Sequence, residues 1–219
     1  MAKQKGPRRG RPPKDLAGDV ETRILDAAEQ LFLGKGFRSS SIDEVAERAP
    51  ASKPTIYSHF PGKEALFEAV VARAVTGLTN FDGYVPEGRT IQDKLTSIGT
   101  AIVERFIQDS VGMTRAVIAE APTFPELSRH VHEASVDRMA KAVSQVLNDA
   151  TLLSRTLKGP FGTTRSVATA KIFMDLILLP MLMQSLMGQE TKALKKDLPS
   201  FVRERVSFFL AACETDWTT

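Results

Sequence analysis

Apolar residues recur along this chain with the period of an α-helix, and no useful stretch alternates in the manner of a β-strand. From Asp19 onward, the first apolar stripe runs through Ile24, Ala28 and Leu31, which are spaced as one helix face requires. Asp19 can cap the start of this helix, and the glycines that follow the stripe end it. We therefore predict an all-α fold of about nine helices.

Two short helices come next. Ser41 and Glu44 have the spacing of a capping box, so we predict that a second helix opens at Ser41. Pro50 disfavours helical torsions at the residue before it, so this helix should end by about Arg48. Ser52 can cap a third, very short helix with a proline tolerated in its first turn. The two helices are therefore separated by a tight turn.

Longer apolar patterns predict six further helices. A fourth helix of about Lys63–Asn80 is followed by a loop over Asn80–Thr90 that contains glycine and proline. The remaining predicted helices are Ile91–Asp109, Met113–Ala121, Pro125–Asn148, Arg165–Met187 and Pro199–Cys213, with a loop over Lys158–Thr164. We predict a disordered arm over residues 1–18, a first domain over 19–80 and a second domain over 81–219.

One predicted helix is apolar nearly all round. Ile172–Met183 contains a single charge, Asp175, and is shorter than the roughly 20 residues that a membrane span requires. Such a helix is more typical of one buried on two sides, against a core and against a second subunit. Asp175 then either pairs with a basic residue across the dimer or orients a ligand; a structural ion pair is the expected role, because buried charges normally have partners.

The net charge of +3 is distributed unevenly along the chain. Residues 1–18 carry six basic side chains and one acidic side chain, whereas residues 61–219 carry 18 of each sign. A basic tail on a balanced body indicates a polyanion partner, such as nucleic acid or a membrane surface. A merely solubilising tail is the alternative.

The remaining chemistry argues against several classes of protein. Cys213 is the only cysteine, so no intramolecular disulfide can form, and no cluster has the spacing of a metal site. The sequence has no phosphate-binding loop or nucleophile elbow, and His130 and His132 are two residues apart on a predicted helix. We expect a cytoplasmic protein without metal or cofactor, with no secretory signal, and not an enzyme.

Residues 41–60 have the layout of a helix-turn-helix, whose second helix can enter the major groove of DNA. Ile56 and Phe60 can anchor that helix, about Lys53–Ser58, on the body of the domain. Its other side offers polar side chains that reach outward, namely Lys53, Thr55, Tyr57, Ser58 and His59. An ordinary turn between packed helices gives a similar pattern, so this layout alone leaves both interpretations open.

The same region resembles the TetR/AcrR family of bacterial transcriptional regulators. The matching segments, which agree in their spacing over about residues 20–70, are Arg23–Ala28, Leu31–Phe32, Gly36–Phe37, Ser40–Ile42, Val45–Ala46, Thr55–Phe60 and Lys63–Leu66. The resemblance implies a homodimer whose three N-terminal helices bind a palindromic operator. The remaining helices would form a regulatory domain for a small-molecule effector.

The resemblance also implies roles for individual residues. Ser52 and Tyr57 would contact phosphates, and His59 and Lys63 would approach the DNA backbone. Packing for Tyr57, and an exposed position without a contact for His59, remain the alternatives. The DNA-binding candidates that would face the major groove or lie beside it are Lys53, Thr55, Ser58 and Ser41.

The turn departs from the family pattern. The family usually has Gly-Val where this chain has Pro50-Ala51, and a glycine where this chain has Pro54. Proline is held near φ −65° and does not take the positive φ that glycine allows. We therefore expect the turn to differ locally from that of the family.

The arm contains a second candidate DNA element. The segment Pro7–Lys14 resembles an AT-hook, whose core here is Gly10, Arg11 and Pro12, with Arg9 beside it. An extended segment with arginines and no bulky side chain fits the narrow minor groove of A·T-rich DNA. A·T-rich flanks beside the operator would then be preferred. Plain attraction to phosphates is the alternative.

The second half of the chain carries the weaker signals. Arg115–Leu127 resembles the AefR-like subgroup of C-terminal domains. We expect the last two long helices to form the dimer interface. Candidate pocket residues, each of which could equally fill an ordinary core, are Phe106, Met113, Ile118, Phe124, Phe161, Phe173, Met174 and Asp175. The expected function is a repressor released by an effector; the alternative is an architectural A·T-rich DNA-binding protein without one.

Overall fold

The computed structural model describes residues 14–153 and 165–214. These residues form nine α-helices and no strand, as predicted. The helices are α1 (Lys14–Lys35), α2 (Ile42–Arg48), α3 (Lys53–His59), α4 (Lys63–Thr79), α5 (Ile91–Asp109), α6 (Val111–Glu120), α7 (Pro125–Leu153), α8 (Ser166–Leu186) and α9 (Thr191–Glu214). Residues 1–13 of the predicted arm, with its candidates Arg9, Gly10, Arg11 and Pro12, and the predicted loop over Lys158–Thr164 lie outside the described residues. Residues 14–18, predicted to belong to the disordered arm, are part of α1.

Two predicted helix starts are wrong. Helix α1 begins at Lys14, so Asp19 lies inside the helix and does not cap its first turn. Helix α9 begins at Thr191 and continues through Pro199, the residue predicted to start it. A proline inside a helix removes one hydrogen bond and its ring crowds the carbonyl four residues earlier, and burial of apolar residues on both sides outweighs that cost. The buried stripe crosses the proline without a break through Leu194, Leu198, Val202, Val206 and Phe209.

The chain divides into two compact units, residues 1–70 and 71–219. The division falls within α4; the predicted limits after residues 18 and 80 stay predictions. In the core of the first unit three aromatic rings pack together, with centroids 5.7 Å apart for Phe32 and Phe37, 5.4 Å for Phe32 and Phe67, and 4.9 Å for Phe37 and Phe67. Helix α1 ends where Gly36 takes φ +84°, which glycine adopts without a Cβ clash.

In the second unit, α5 packs against α7, α8 and α9 around one apolar core. Gly99 lets α5 approach its neighbours closely, because a Cβ at this position would lie 3.1 Å from Ile177 Cδ1 and 3.3 Å from Phe173 Cζ. Phe173 itself is fully buried and meets Phe209 edge to face at 5.2 Å. The buried faces of α8 and α9 therefore pack closely against α5.

Helix α8 is long and apolar enough to span a membrane by length and composition alone. One face, with Phe173 and Ile177, is buried in the core of the second unit, which is the behaviour of a core helix. The opposite face exposes large apolar side chains, namely Ile172, Leu179, Met183 and Met187. Asp175 is also exposed, and it forms no ion pair within the described part of the chain. A pair with a basic residue of a second subunit stays a prediction.

Candidate nucleic-acid interface

A capping box fixes the start of α2, as predicted. Ser41 Oγ accepts a hydrogen bond from the Glu44 N–H at 3.4 Å, and Glu44 Oε2 accepts from the Ser41 N–H at 2.9 Å. Glu44 also forms an ion pair with Lys35 of α1. The Lys35 ammonium first, and the Ser41 hydroxyl second, lower the pKa of Glu44 below its usual value. Ser41 is exposed, yet its described contacts serve the helix cap.

The turn after α2 contains an unusual proline. Pro50 has φ +26°, inside the left-handed region, although its ring favours about −65°. The Ala51 N–H donates to the Ala46 carbonyl at 3.2 Å, which is the outer bond of a Schellman motif. The inner bond of that motif needs an N–H at Pro50, which proline lacks. The expectation that Pro50 avoids a positive φ is therefore wrong, and the backbone at Pro50 is strained.

Replacing this proline tests the strain. We expect Pro50→Gly to stabilise the first unit by about 1 kcal/mol, because the strain of about 1–3 kcal/mol exceeds the entropy that glycine loses on folding. Amide hydrogen exchange across α2 and α3 of the full chain measures the change. The matched control is Pro54→Gly, in the first turn of α3, where φ is not positive. Equal destabilisation by both substitutions would show that Pro50 is not strained.

Helix α3 presents a polar face, as the helix-turn-helix pattern predicts. Ser52 caps it by accepting from the Thr55 N–H at 3.2 Å, and Pro54 lies in the first turn. Ile56 is fully buried on the inner side. Tyr57 is half exposed, which favours an outward role for this side chain over packing. The other exposed residues of the helix are Lys53, Pro54 and Ser58.

Most hydroxyl groups on this helix already have partners within it. Ser52 Oγ and Thr55 Oγ1 are 2.7 Å apart, and Ser58 Oγ donates to the Thr55 carbonyl at 2.7 Å. Thr55 is only partly exposed. A hydroxyl keeps further hydrogen-bonding capacity after one bond, so these groups can still meet DNA. The ends and the axis of α3 are nevertheless set before any contact with DNA.

Sequence reasoning missed one member of this surface. Asp43, in the first turn of α2, forms an exposed ion pair with Lys53, the first residue of α3. The hydrogen bond to Asp43 and its negative charge raise the pKa of Lys53 above its usual value. The only sequence signal is the pair of acidic residues at the start of α2, which is also what the dipole of any helix favours.

His59 and Lys63 lie at the edge of this surface. His59 Nδ1 is 3.7 Å from a carboxylate oxygen of Glu21 on α1, and its side chain is a quarter exposed. Lys63 Nζ donates to the carbonyls of Phe37 at 3.1 Å and Ser40 at 3.1 Å, and it lies 4.4 Å from the centroid of the Phe37 ring. In this structure the Lys63 side chain holds the turn between α1 and α2. A contact with DNA stays a prediction for both residues.

A substitution at Lys63 should therefore act on stability. Lys63→Met keeps the apolar stem but removes the donor, so we expect the first unit to lose about 1–3 kcal/mol from the carbonyls left unpaired. Hydrogen exchange of the amides in residues 37–41 measures this loss. Lys35→Met, which removes an exposed ion pair, is the control and should cost less than about 1 kcal/mol. Unchanged exchange together with weaker DNA binding would instead make Lys63 a DNA contact.

The predicted pocket residues that the structure describes are divided between the core and the surface. Four of the eight are packed in the core, two are exposed, one is partly buried, and Phe161 lies outside the described residues. Those in the core are Phe106, Met113, Phe173 and Met174; Ile118 and Asp175 are exposed, and Phe124 is partly buried. The bulk that suggested a pocket is used for packing here. Their role in effector binding stays a prediction.

Two family models match this chain. The model for bacterial regulatory proteins of the TetR family matches residues 24–70, which include the capping box, the turn and the whole of α3. The model for the C-terminal domain of AefR-like transcriptional repressors matches residues 93–215, more than half of the chain.

Curated relatives and solved structures agree with these matches. YvkB of Bacillus subtilis (strain 168), an uncharacterised regulator, is 30% identical over 155 residues, 71% of this chain and 77% of YvkB. The activator FasR of Mycolicibacterium smegmatis is 32% identical over 148 residues, 64% of this chain and 65% of FasR. The structure of the flavonoid-responsive regulator FrrA is 27% identical with a TM-score of 0.71, covering 89% of this chain and 97% of FrrA. A TetR regulator from Agrobacterium tumefaciens has the same fold, with a TM-score of 0.64 at 19% identity over 88% of this chain and 93% of its own. The chain therefore belongs to the TetR family of bacterial transcriptional regulators, with an AefR-like C-terminal domain.

Proposed function

We propose that this protein is a dimeric, site-specific repressor that leaves its operator when a small molecule binds the second unit. The observation that carries the proposal is the exposed polar face of α3, with Lys53 and Tyr57, fixed opposite the buried Ile56. A short helix held in this way can insert into the major groove, which is about 12 Å wide. Such a regulator acts on DNA in the bacterial cytoplasm.

Dimerisation through α8 and α9 fits the apolar surface that the single chain leaves uncovered. Large side chains are exposed on α8, and Phe208 is two-thirds exposed on α9. Monomeric soluble proteins rarely leave apolar patches of this kind uncovered. A two-fold dimer would present two α3 helices to a palindrome whose half-sites lie about 34–36 Å apart.

Release by an effector requires two states with different affinities for DNA. An effector shifts their balance only by binding one state better than the other. Helix α4 begins three residues after Phe60 and runs on into the second unit, so it is our candidate for the connecting lever. The flavonoid-responsive neighbour FrrA supports an organic effector for this chain.

The direction of regulation rests on the AefR-like repressor domain model. The relative FasR is an activator, so activation is the outcome that a reporter assay must separate from repression. An operator fused to a reporter gene gives higher expression on deletion of a repressor and lower expression on deletion of an activator.

The test of the proposal is the selection of bound fragments from genomic DNA by purified full-length protein at physiological salt. We expect the bound pool to share a two-fold palindrome with A·T-rich flanks. A broad A·T-rich pool without a palindrome would contradict site-specific binding and favour the architectural alternative. Effector release is then measured on the selected operator.

A further inference from the structure

Two adjoining cavities open between α7 and the loop that follows α4. The larger has a volume of about 310 Å³ and the smaller about 170 Å³. Phe81, Ala142 and Gln145 line both of them, so together they form one elongated cleft. Sites for small molecules in proteins begin at about 300 Å³. Of the pocket residues predicted from the sequence, those that the structure describes do not line this cleft.

The loop side of the cleft is held in place by α5. The Arg105 guanidinium donates to the Asn80 carbonyl and lies 4.6 Å from the centroid of the Phe81 ring. Tyr84 Oη and Ser97 Oγ form a hydrogen bond of 2.8 Å, and the rings of Phe81 and Tyr84 meet edge to face at 5.8 Å. The aromatic wall is thus preformed, so a ligand would not have to order it.

The two ends of the cleft differ in charge. Arg138 and Lys141, one turn apart on α7, line the larger cavity, where Asp82 is the opposing charge. Arg138 donates to Thr76 Oγ1 of α4 at 3.3 Å, and neither basic residue forms an ion pair within the part of the chain that the structure describes. In the smaller cavity, Lys94 and Asp149 balance each other. One end therefore favours a single negative charge, and the other favours an uncharged group.

We infer that this cleft binds an organic monocarboxylate with a flat apolar body. The carboxylate lies against Arg138 and Lys141, because a guanidinium binds both oxygens of a planar carboxylate. The body lies along Phe81 and Ala142 toward the uncharged end. Asp82 and Asp149 disfavour a ligand that carries a second negative charge. This ligand would be the effector of the proposed function, and any consequence of its binding at the operator rests on that function.

The placement also connects the ligand to α4. Thr76 and Thr79 line the larger cavity and belong to the helix that starts just after the recognition helix. Both hydroxyls donate within α4, Thr79 to the Val75 carbonyl at 2.7 Å and Thr76 to the Ala72 carbonyl at 2.9 Å. Thr79 is buried, whereas Thr76 is exposed and also accepts from Arg138, so Thr76 is the one that would share Arg138 with a ligand. A carboxylate that draws the guanidinium away from Thr76 would alter the contact between α7 and α4.

The binding test uses naphthoate and its uncharged analogue naphthamide on the full-length protein, without DNA, by isothermal titration calorimetry. We expect naphthoate to bind at least about tenfold more tightly than naphthamide, since only the acid meets both basic groups. The double variant Arg138→Gln and Lys141→Gln should erase this preference. Lys195→Gln with Lys196→Gln, two exposed lysines on α9, is the charge-matched control and should keep it.

A second variant tests the position of the apolar body. Ala142→Phe fills the junction of the two cavities and should weaken naphthoate binding, with an unchanged circular dichroism spectrum showing that the fold is kept. Equal binding of acid and amide, or naphthoate binding that both variants leave unchanged, would overturn the inference. Operator binding is measured separately: naphthoate bound in the cleft without any change in operator affinity would contradict effector release while leaving the site itself supported.

Discussion

Removing residues 1–13 should weaken operator binding and flatten its dependence on salt. The segment carries five basic residues and no acidic one, and α1 stays whole because it begins at Lys14. For duplex DNA, the slope of log affinity against log salt becomes shallower by about 0.9 for every phosphate that the protein no longer neutralises. If the arm neutralises several phosphates, affinity at physiological salt falls by about tenfold or more. Fluorescence anisotropy over a series of salt concentrations measures both quantities.

A second variant separates the two roles proposed for the arm. Arg9→Ser with Arg11→Ser removes the core of the AT-hook-like segment, while Lys3→Ser with Lys5→Ser removes the same charge outside it. Insertion into the minor groove predicts that only the arginine variant loses the preference for A·T-rich flanks. Equal effects of both variants would show that the arm binds DNA only through the attraction between its positive charges and the phosphates. An unchanged affinity and slope after deletion of residues 1–13 would remove the arm from the interface altogether.

The parts of the fold that follow local rules could be predicted from the sequence. The capping box at Ser41 and the serine cap of α3 depend on side chains within three residues of the helix start, so spacing alone identifies them. The start of α9 could not be found in this way, because Pro199 is by itself a local signal for the first turn of a helix. The apolar stripe from Leu194 to Phe209 favours a longer helix, but the free energy gained by burying it depends on the core against which it packs.

The polar contacts of the candidate interface were harder to predict, because they join residues far apart in the chain. Lys63 reaches back 26 residues to the Phe37 carbonyl, and no periodicity reveals such a contact. The prediction for the turn at Pro50 fails for a different reason, since the rule that fixes proline φ takes no account of the packing of α2 and α3 around it. Local strain of this kind persists only where the surrounding structure outweighs it.

Lys53→Ala should weaken binding to the operator by about tenfold and change the preferred base at one position of each half-site, since a side chain that meets a base edge discriminates to about this degree. The fold should be kept, because the ion pair that the substitution removes is exposed. Competition assays against operator variants and random DNA measure the ratio of specific to non-specific affinity.

Asp43→Asn is the matched partner of this substitution. It frees Lys53 from its ion pair and removes a negative charge from the surface that is proposed to face the phosphates, so binding to every DNA sequence should become tighter. Lys35→Ala, which breaks an exposed ion pair between α1 and α2, should leave the preferred base unchanged. If Lys53→Ala weakens operator and random DNA equally, Lys53 contacts phosphate and another residue of α3 reads the bases. In that case Tyr57 and Ser58 are the exposed residues to substitute next, because the buried Ile56 fixes which side of the helix can reach the groove.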